Sequence, residues 1–195
     1  MSGDRLARYP VTGSRSEFES RALAAELGAI VGADRVLVGP EARRRHAGDM
    51  SWLTYIHAHH GQPLARHDVV ATPVSTREVA AIMQLASRLG VPVTPVGGAS
   101  GVQGAANATC GGILLDLSAM NKVRRLDRKS LTCVVEPGMN VKAFEAQLNA
   151  EGLSFTHYPA SAEWASIGGC VGARGSGVLS TKYGTIQDHV LSAEL

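Results

Sequence analysis

Residues 95–104 read Pro95-Val96-Gly97-Gly98-Ala99-Ser100-Gly101-Val102-Gln103-Gly104, directly after an apolar run over 91–96. Closely spaced glycines let successive backbone N–H groups turn the same way and approach an anion. Ser100 adds a hydroxyl donor. Diphosphate binding is the chemistry this suits. Two common phosphate loops are excluded. There is no Gly-Lys-Ser/Thr ending, so this is no Walker A loop. Ala99 prevents Gly97 from opening a G-x-G-x-x-G fingerprint. No helical periodicity follows, whereas both of those motifs open a helix. The loop therefore has only backbone to offer an anion, without a lysine. On the loop alone, a connector of no special role is an equal alternative.

The flanking segments place the loop. Upstream, residues 69–71 predict a strand. Ser75-Thr76-Arg77-Glu78 reads as a capping box. Val79, Ile82, Met83, Ala86 and Leu89 then share one helical face, and Gly90 suits the position after its last turn. With 91–96 as the next strand, this is a strand–helix–strand unit whose strands are expected to pair in parallel. Downstream, 113–117 predicts a strand, and 123–126 with 131–135 predict a hairpin turning at Asp127-Arg128-Lys129. Asn140 caps a second helix that buries Val141, Phe144 and Leu148 and ends at Gly152. Residues 154–158 predict a short strand.

The rest of the chain is less regular. Residues 1–15 read as a loose arm. A helix is expected over 16–27, with Phe18, Ala22, Leu23 and Leu27 on one face and Gly28 ending it. Residues 41–67 predict an irregular segment with a short helix at its start. The apolar stretch 190–195 looks like a strand just begun, which suggests the N-terminal portion of a longer protein.

The second glycine cluster follows Pro159 and Ser161. It runs Glu163-Trp164-Ala165-Ser166-Ile167-Gly168-Gly169-Cys170-Val171-Gly172-Ala173-Arg174-Gly175-Ser176-Gly177, then Lys182-Tyr183-Gly184. Small residues let something flat or extended pass close to the backbone. Ser161, Ser166 and Ser176 offer hydroxyls, and Arg174 suits a phosphate or a carboxylate. Two such loops, each expected at a strand end, suggest one extended ligand gripped from two sides. A dinucleotide has that length.

Composition narrows the class. Of 195 residues, 45% are apolar and 18% charged, which excludes a disordered chain. A net charge of +2 argues against a nucleic-acid partner. No apolar run is long enough to cross a membrane, and the N-terminus shows no secretory signal. Three separated cysteines form no disulfide framework and point to the cytoplasm.

The ordered motifs resemble the N-terminal portion of the FAD-binding domain of the vanillyl-alcohol oxidase family, the PCMH-type domain. They are Pro73-x-Ser75-x-x-Glu78-Val79, Gly90-Val91-Pro92-Val93, the 95–100 loop, Leu115-Asp116-Leu117-x-x-Met120-Asn121-x-Val123, Glu136-Pro137-Gly138, Gly152, and Pro159-x-Ser161 through Ile167-Gly168-Gly169 to Lys182-Tyr183-Gly184. The resemblance covers roughly residues 40–195. It implies an α+β fold of two subdomains, incomplete before its last strands and before a C-terminal cap domain. Residues 1–39 would be an N-terminal arm and helix. Between the subdomains FAD would lie extended, its diphosphate on Pro95, Val96, Gly97, Gly98, Ala99, Ser100, Gly101 and Gly104. Its ribityl chain and flavin would run along Pro159, Ser161, Ser166, Ile167, Gly168, Gly169, Gly172, Ala173, Arg174, Gly175, Ser176 and Gly177.

The loop departs from the family's usual Gly-Gly-Gly-Thr-Ser at Ala99, which is acceptable only with negative φ. Members that link flavin covalently from this loop carry histidine at that position, so Ala99 implies dissociable FAD. The first half of the motif set resembles D-lactate and glycolate dehydrogenases. The second loop resembles alkyldihydroxyacetonephosphate synthases. The resemblance implies oxidation of a D-2-hydroxy acid by hydride transfer to flavin N5, with an electron acceptor as second partner and catalytic groups on the cap; a homodimer is compatible with it. A flavin transferase without net redox change, or a non-catalytic FAD-binding fragment, is the alternative.

Other chemistry-bearing residues have plainer readings. His57, His59 and His60 could ligate a metal, with His57 and His59 on one face of a strand, but no cysteine or carboxylate cluster accompanies them and a surface loop is the better expectation. Arg43, Arg44 and Arg45 read as a solvated helix face. Glu163 is expected as a loop residue beside the flavin site, Cys170 as packing, and Lys182 with Tyr183 as loop-orienting.

Overall fold

The computed structural model describes residues 15–62 and 64–194. Fifteen residues of the chain's first helix, α1 (Glu17–Val31), start at Ser16, whose side chain accepts from Glu19 N while Glu19 returns a bond to Ser16 N. The helix does not stop at Gly28. Ile30 and Val31 continue its apolar face, and Gly32 N closes on Gly28 O instead. Leu23, Leu27 and Val31 are buried, whereas Phe18 and Ala22, expected on that face, are exposed. The arm expected over 1–15 lies, apart from Arg15, outside the described residues.

A 3₁₀ turn leads into β1 (Val36–Val38), then α2 (Gly39–Arg45) and α3 (Trp52–His59). The segment expected to be irregular thus holds two helices, α2 started by Pro40 in its first turn and α3 by the Ser51 cap. His57 and His59 accordingly sit on a helix, not a strand, and part company: His57 is buried and His59 exposed. Arg43 and Arg44 are exposed on α2; the Arg45 side chain lies outside what is described.

β2 (Val69–Ala71), α4 (Thr76–Leu89), β3 (Val93–Val96) and β4 (Ile113–Asp116) complete the first lobe. Ser75 caps α4 as expected, but Glu78 answers Val74 N and the Arg35 guanidinium rather than Ser75 N. Met83 and Leu89, expected on the buried face, are nearly half exposed, and Leu85 takes their place in the core. The strand order is β1-β2-β4-β3. β2 and β3 are each parallel to β4, which lies between them, so they do not pair with each other. β1 is the antiparallel edge. Ile113, Leu114 and Leu115 are all buried, as a strand covered on both faces requires. One face packs on α1 and α4 through Leu27, Ile82 and Ile113; the other meets Ala42 and Ala108 through Val70, Val96 and Leu114. Each such large apolar side chain contributes about 1.5–3 kcal/mol of burial.

The second lobe is smaller. β5 (Val123–Asp127) and β6 (Thr132–Val135) form the expected hairpin. Asn140 Oδ1 accepts from Ala143 N at 3.0 Å and starts α5 (Val141–Ala150), which buries Val141, Phe144 and Leu148. Then come α6 (Ile167–Ala173), α7 (Ser180–Tyr183) and α8 (Ile186–His189). Neither 154–158 nor 190–194 is a strand; Thr156 at φ +63° interrupts the extended backbone of the first. This mixed α+β arrangement of two lobes is the fold expected for the N-terminal part of a PCMH-type domain. Among the described residues no helix is long and apolar enough to cross a membrane.

Candidate cofactor site

The first glycine loop leaves the C-terminal end of β3. There Val96 is in register with Asp116 at the end of β4. Parallel strands thus aim their carboxyl ends at one edge, the usual ligand crevice of such sheets. Among the described residues, the N–H groups of residues 98–103 donate no hydrogen bond. Such donors are available to an anion.

Ala99 corrects the sequence reading. Its φ is +49°, in the left-handed region, not negative. Alternating backbone handedness is what turns neighbouring N–H groups to one side. Alanine there costs about 1–2 kcal/mol.

Gly97 and Gly98 have a different use. Neither has positive φ. A Cβ on Gly98 would overlap the Trp164 carbonyl, with Trp164 C at 2.7 Å and Ala165 Cα at 3.2 Å. A Cβ on Gly97 would overlap Ser166 Oγ and stand 3.0 Å from its Cβ. The two loops therefore touch, and these glycines are the contact.

The second loop does not follow a strand. It is laid against 137–142 by Val141 N to Ala165 O (2.9 Å), Ile167 N to Met139 O (2.8 Å) and Gly168 N to Pro137 O (2.8 Å). Asn140 Nδ2 adds a bond to Glu163 O at 3.0 Å. Ser166 caps α6 by accepting from Gly169 N, which engages one lone pair of its hydroxyl and leaves the O–H able to donate. Gly177 packs on the Tyr158 backbone, where a Cβ would meet Tyr158 C at 2.6 Å. Arg174 ends α6 at φ +50°; its side chain is exposed and makes no ion pair among the described residues. Ser176 is exposed and Ser161 half-buried. Glu163 pairs with Lys142 on the surface, Lys182 lies over the Tyr183 ring at 4.9 Å, and Cys170 is buried, its thiol pushed up by desolvation.

At the seam a cavity of about 470 Å³ is lined by Gly97, Gly98, Asn121, Gln147, Trp164 and Ser166, within the size range of small-molecule sites. Gln147, one helical turn beyond Ala143 on α5, was not singled out by any motif. His157 was also missed. It is buried against Phe155 and His189, with neither ring nitrogen hydrogen-bonded, and Gly175 of the second loop passes 3.9 Å from its Nε2 at the Cβ position. Burial, with His189 as a lesser cause, holds its imidazole below the usual range.

Unused main-chain donors at a sheet's carboxyl edge, set against a small-residue loop on a second lobe, are compatible with a dinucleotide-binding domain. A family model described as FAD binding domain matches residues 67–195. The chain belongs to this FAD-binding family. It is 37% identical over 128 residues to a mitochondrial D-lactate dehydrogenase [cytochrome] of Arabidopsis thaliana, covering 66% of this chain and 22% of that protein. It is 33% identical over 154 residues to an alkyldihydroxyacetonephosphate synthase of Dictyostelium discoideum, covering 77% and 25%. A solved alkyldihydroxyacetonephosphate synthase superposes at a TM-score of 0.81 with 29% identity, over 92% of this chain and 32% of that one. p-Cresol methylhydroxylase, at 21% identity and a TM-score of 0.67, shares the fold. The chain spans about a quarter of the length of the curated relatives it matches.

The residues present fit FAD. The loop at 98–103 presents main-chain N–H donors without protein partners, as a diphosphate needs, and the second loop presents small residues and hydroxyls.

Proposed function

We propose that this chain is the FAD-holding part of an oxidoreductase that oxidises a D-2-hydroxy acid of the lactate or glycolate type. The carrying observation is the run of unused N–H groups at 98–103 set against the second loop. The similarity to D-lactate dehydrogenases supports the substrate class. The flavin, when bound, supplies the hydride-accepting chemistry. In this reading Pro95 to Gly101, with Gly104, hold the diphosphate. The 159–177 segment orients the rest of the cofactor, small residues at Gly168, Gly169, Gly172, Ala173, Gly175 and Gly177 allowing close packing. With Ala99 in the loop, FAD is held non-covalently. The substrate base belongs to the part of the protein beyond this domain, and the second partner is an electron acceptor. A cytoplasmic site completes the proposal; the bound expected at 39/40 instead cuts one lobe, because β1 pairs with β2 and α1 packs on the same sheet.

A second reading is a flavin-dependent transferase of the alkyldihydroxyacetonephosphate synthase type. The similarity over 92% of this chain favours it. The test uses the whole protein that contains this chain. Anaerobic D-lactate or glycolate should bleach the bound flavin and reduce a dye stoichiometrically. Exchange of an acyl for an alkyl group without dye reduction would replace the first reading with the second.

A further inference from the structure

We infer that Asp49 and Asn107 act together as the positioning pair that fixes the diphosphate loop, an inference that rests on the FAD reading above. Asp49 lies between α2 and α3 and is 4% exposed; Asn107 is 7% exposed. They are 58 residues apart in sequence and bonded twice. Asn107 Nδ2 donates to Asp49 Oδ1 at 3.0 Å, and Asp49 N donates to Asn107 Oδ1 at 3.3 Å. Thr54 and Ser51 close the network: Thr54 Oγ1 donates to Asp49 Oδ1 at 3.2 Å, and Ser51 N donates to the same oxygen at 3.1 Å.

The network reaches the loop from both ends. Met50 N, next to Asp49, donates to Gly101 O at 2.9 Å. Asn107 N donates to Gly104 O at 3.1 Å. Gly48, at φ +137°, leaves room for Asn107: a Cβ there would stand 2.8 Å from Thr54 Cγ2 and overlap Asn107 Oδ1. These ties secure the far half of a loop whose 98–103 donors are unused. A loop with unsatisfied donors needs external anchors to keep its N–H groups aimed, because nothing within it does so.

The choice of a carboxylate is informative. Asp49 Oδ2 has no hydrogen-bond partner although buried, and it lies 3.7 Å from where a Gly101 Cβ would be. A buried carboxylate with a free oxygen is a poor device for stability alone. Its Oδ1 collects three donors at once, and its free oxygen lies against the last residue of the 97–101 stretch.

The test measures FAD and ADP affinity, by flavin fluorescence quenching and calorimetry, for the chain and its Asp49→Ala, Asn107→Ala, double alanine and exchanged Asp49→Asn/Asn107→Asp variants. Melting curves are recorded alongside. Each single variant should bind FAD and ADP about 10–100-fold more weakly by the same factor, because ADP shares only the diphosphate half. The double alanine variant should be no worse than either single one. The exchanged pair keeps an amide facing a carboxylate and should recover affinity to within about threefold. Should Asp49→Ala fail to fold, Asn107→Ala and the exchanged pair carry the comparison. Single variants that bind as the parent does, or losses that add and are not recovered by exchange, overturn the inference alone. A folded parent chain that binds neither FAD nor ADP overturns the FAD reading and the inference with it.

Discussion

Gly98→Ala is the sharpest perturbation of the seam between the two lobes. The new Cβ would overlap the Trp164 carbonyl and press on Ala165 Cα at 3.2 Å. These are main-chain atoms held by Val141 N to Ala165 O and Ile167 N to Met139 O, so no rotamer change relieves them. The cost lies at the upper end of overpacking, about 3 kcal/mol. Gly97→Ala meets the Ser166 side chain, whose Oγ can turn away by giving up its bond to Gly169 N while its Cβ, at 3.0 Å, must give by a few tenths of an ångström. A lost helix cap costs about 1 kcal/mol. Urea unfolding followed by circular dichroism separates the two. At a slope of about 2 kcal/mol per molar, Gly98→Ala should lower the midpoint by about 1.5 M and Gly97→Ala by about 0.5 M. In a Ser166→Gly background Gly97→Ala should cost nothing further, while Gly98→Ala keeps its full effect. A Gly98→Ala midpoint within about 0.3 M of the parent, with the slope near 2 kcal/mol per molar, would refute the reasoning.

Three further expectations follow from the same geometry. Ala99→Gly removes the left-handed strain at φ +49° and should raise stability by about 0.5–1 kcal/mol in the same urea assay. His67 and His157 are buried, and desolvation lowers both imidazoles in the folded state. The unfolded chain then binds more protons, so their contribution is full above pH ~6.5 and is lost as pH falls below it; the midpoint should drop between pH 7.5 and 5.5, less so in His157→Phe. Glu136 is buried and accepts from Lys122 N at 2.7 Å and Arg124 Nε at 2.8 Å. Glu136→Ala removes these charge-assisted bonds where the hairpin begins and should cost about 2 kcal/mol in thermal or urea unfolding.

The legible parts of this chain are those where one local rule meets no competitor. Gly90 ends α4 in the left-handed conformation and Asn140 caps α5, as their sequence positions imply. The hairpin and β2, β3 and β4 follow from apolar runs between turn residues. Other readings failed for identifiable reasons. α3 reverses the usual pattern, exposing Trp52 and Tyr55 while burying His57, so periodicity could not find it. Gly28 did not end α1 because Ile30 and Val31 carry its buried face past the glycine. The insertion of β4 between β2 and β3 is a long-range choice that local patterns do not carry.

The site was legible as two loops, but not as two loops in contact. Glycines at 97 and 98 read as freedom for an anion; in the fold they are clearance for Trp164 and Ser166. The left-handed bend in the loop falls instead at Ala99, the position a sequence rule marked as the exception. Asp49 and His157 carried no motif, since their importance lies in burial and unfilled hydrogen-bonding capacity.

The central claim, that loops 97–104 and 159–177 together hold FAD, is tested most directly by titrating the purified chain with FAD. Visible absorption, tryptophan fluorescence and far-ultraviolet circular dichroism are read on the same samples. The account predicts saturable binding, a perturbed flavin spectrum, quenching of Trp164 at the seam, and release of all flavin on denaturation. A chain with the circular dichroism of this fold that leaves the flavin spectrum unchanged at every FAD concentration would contradict it.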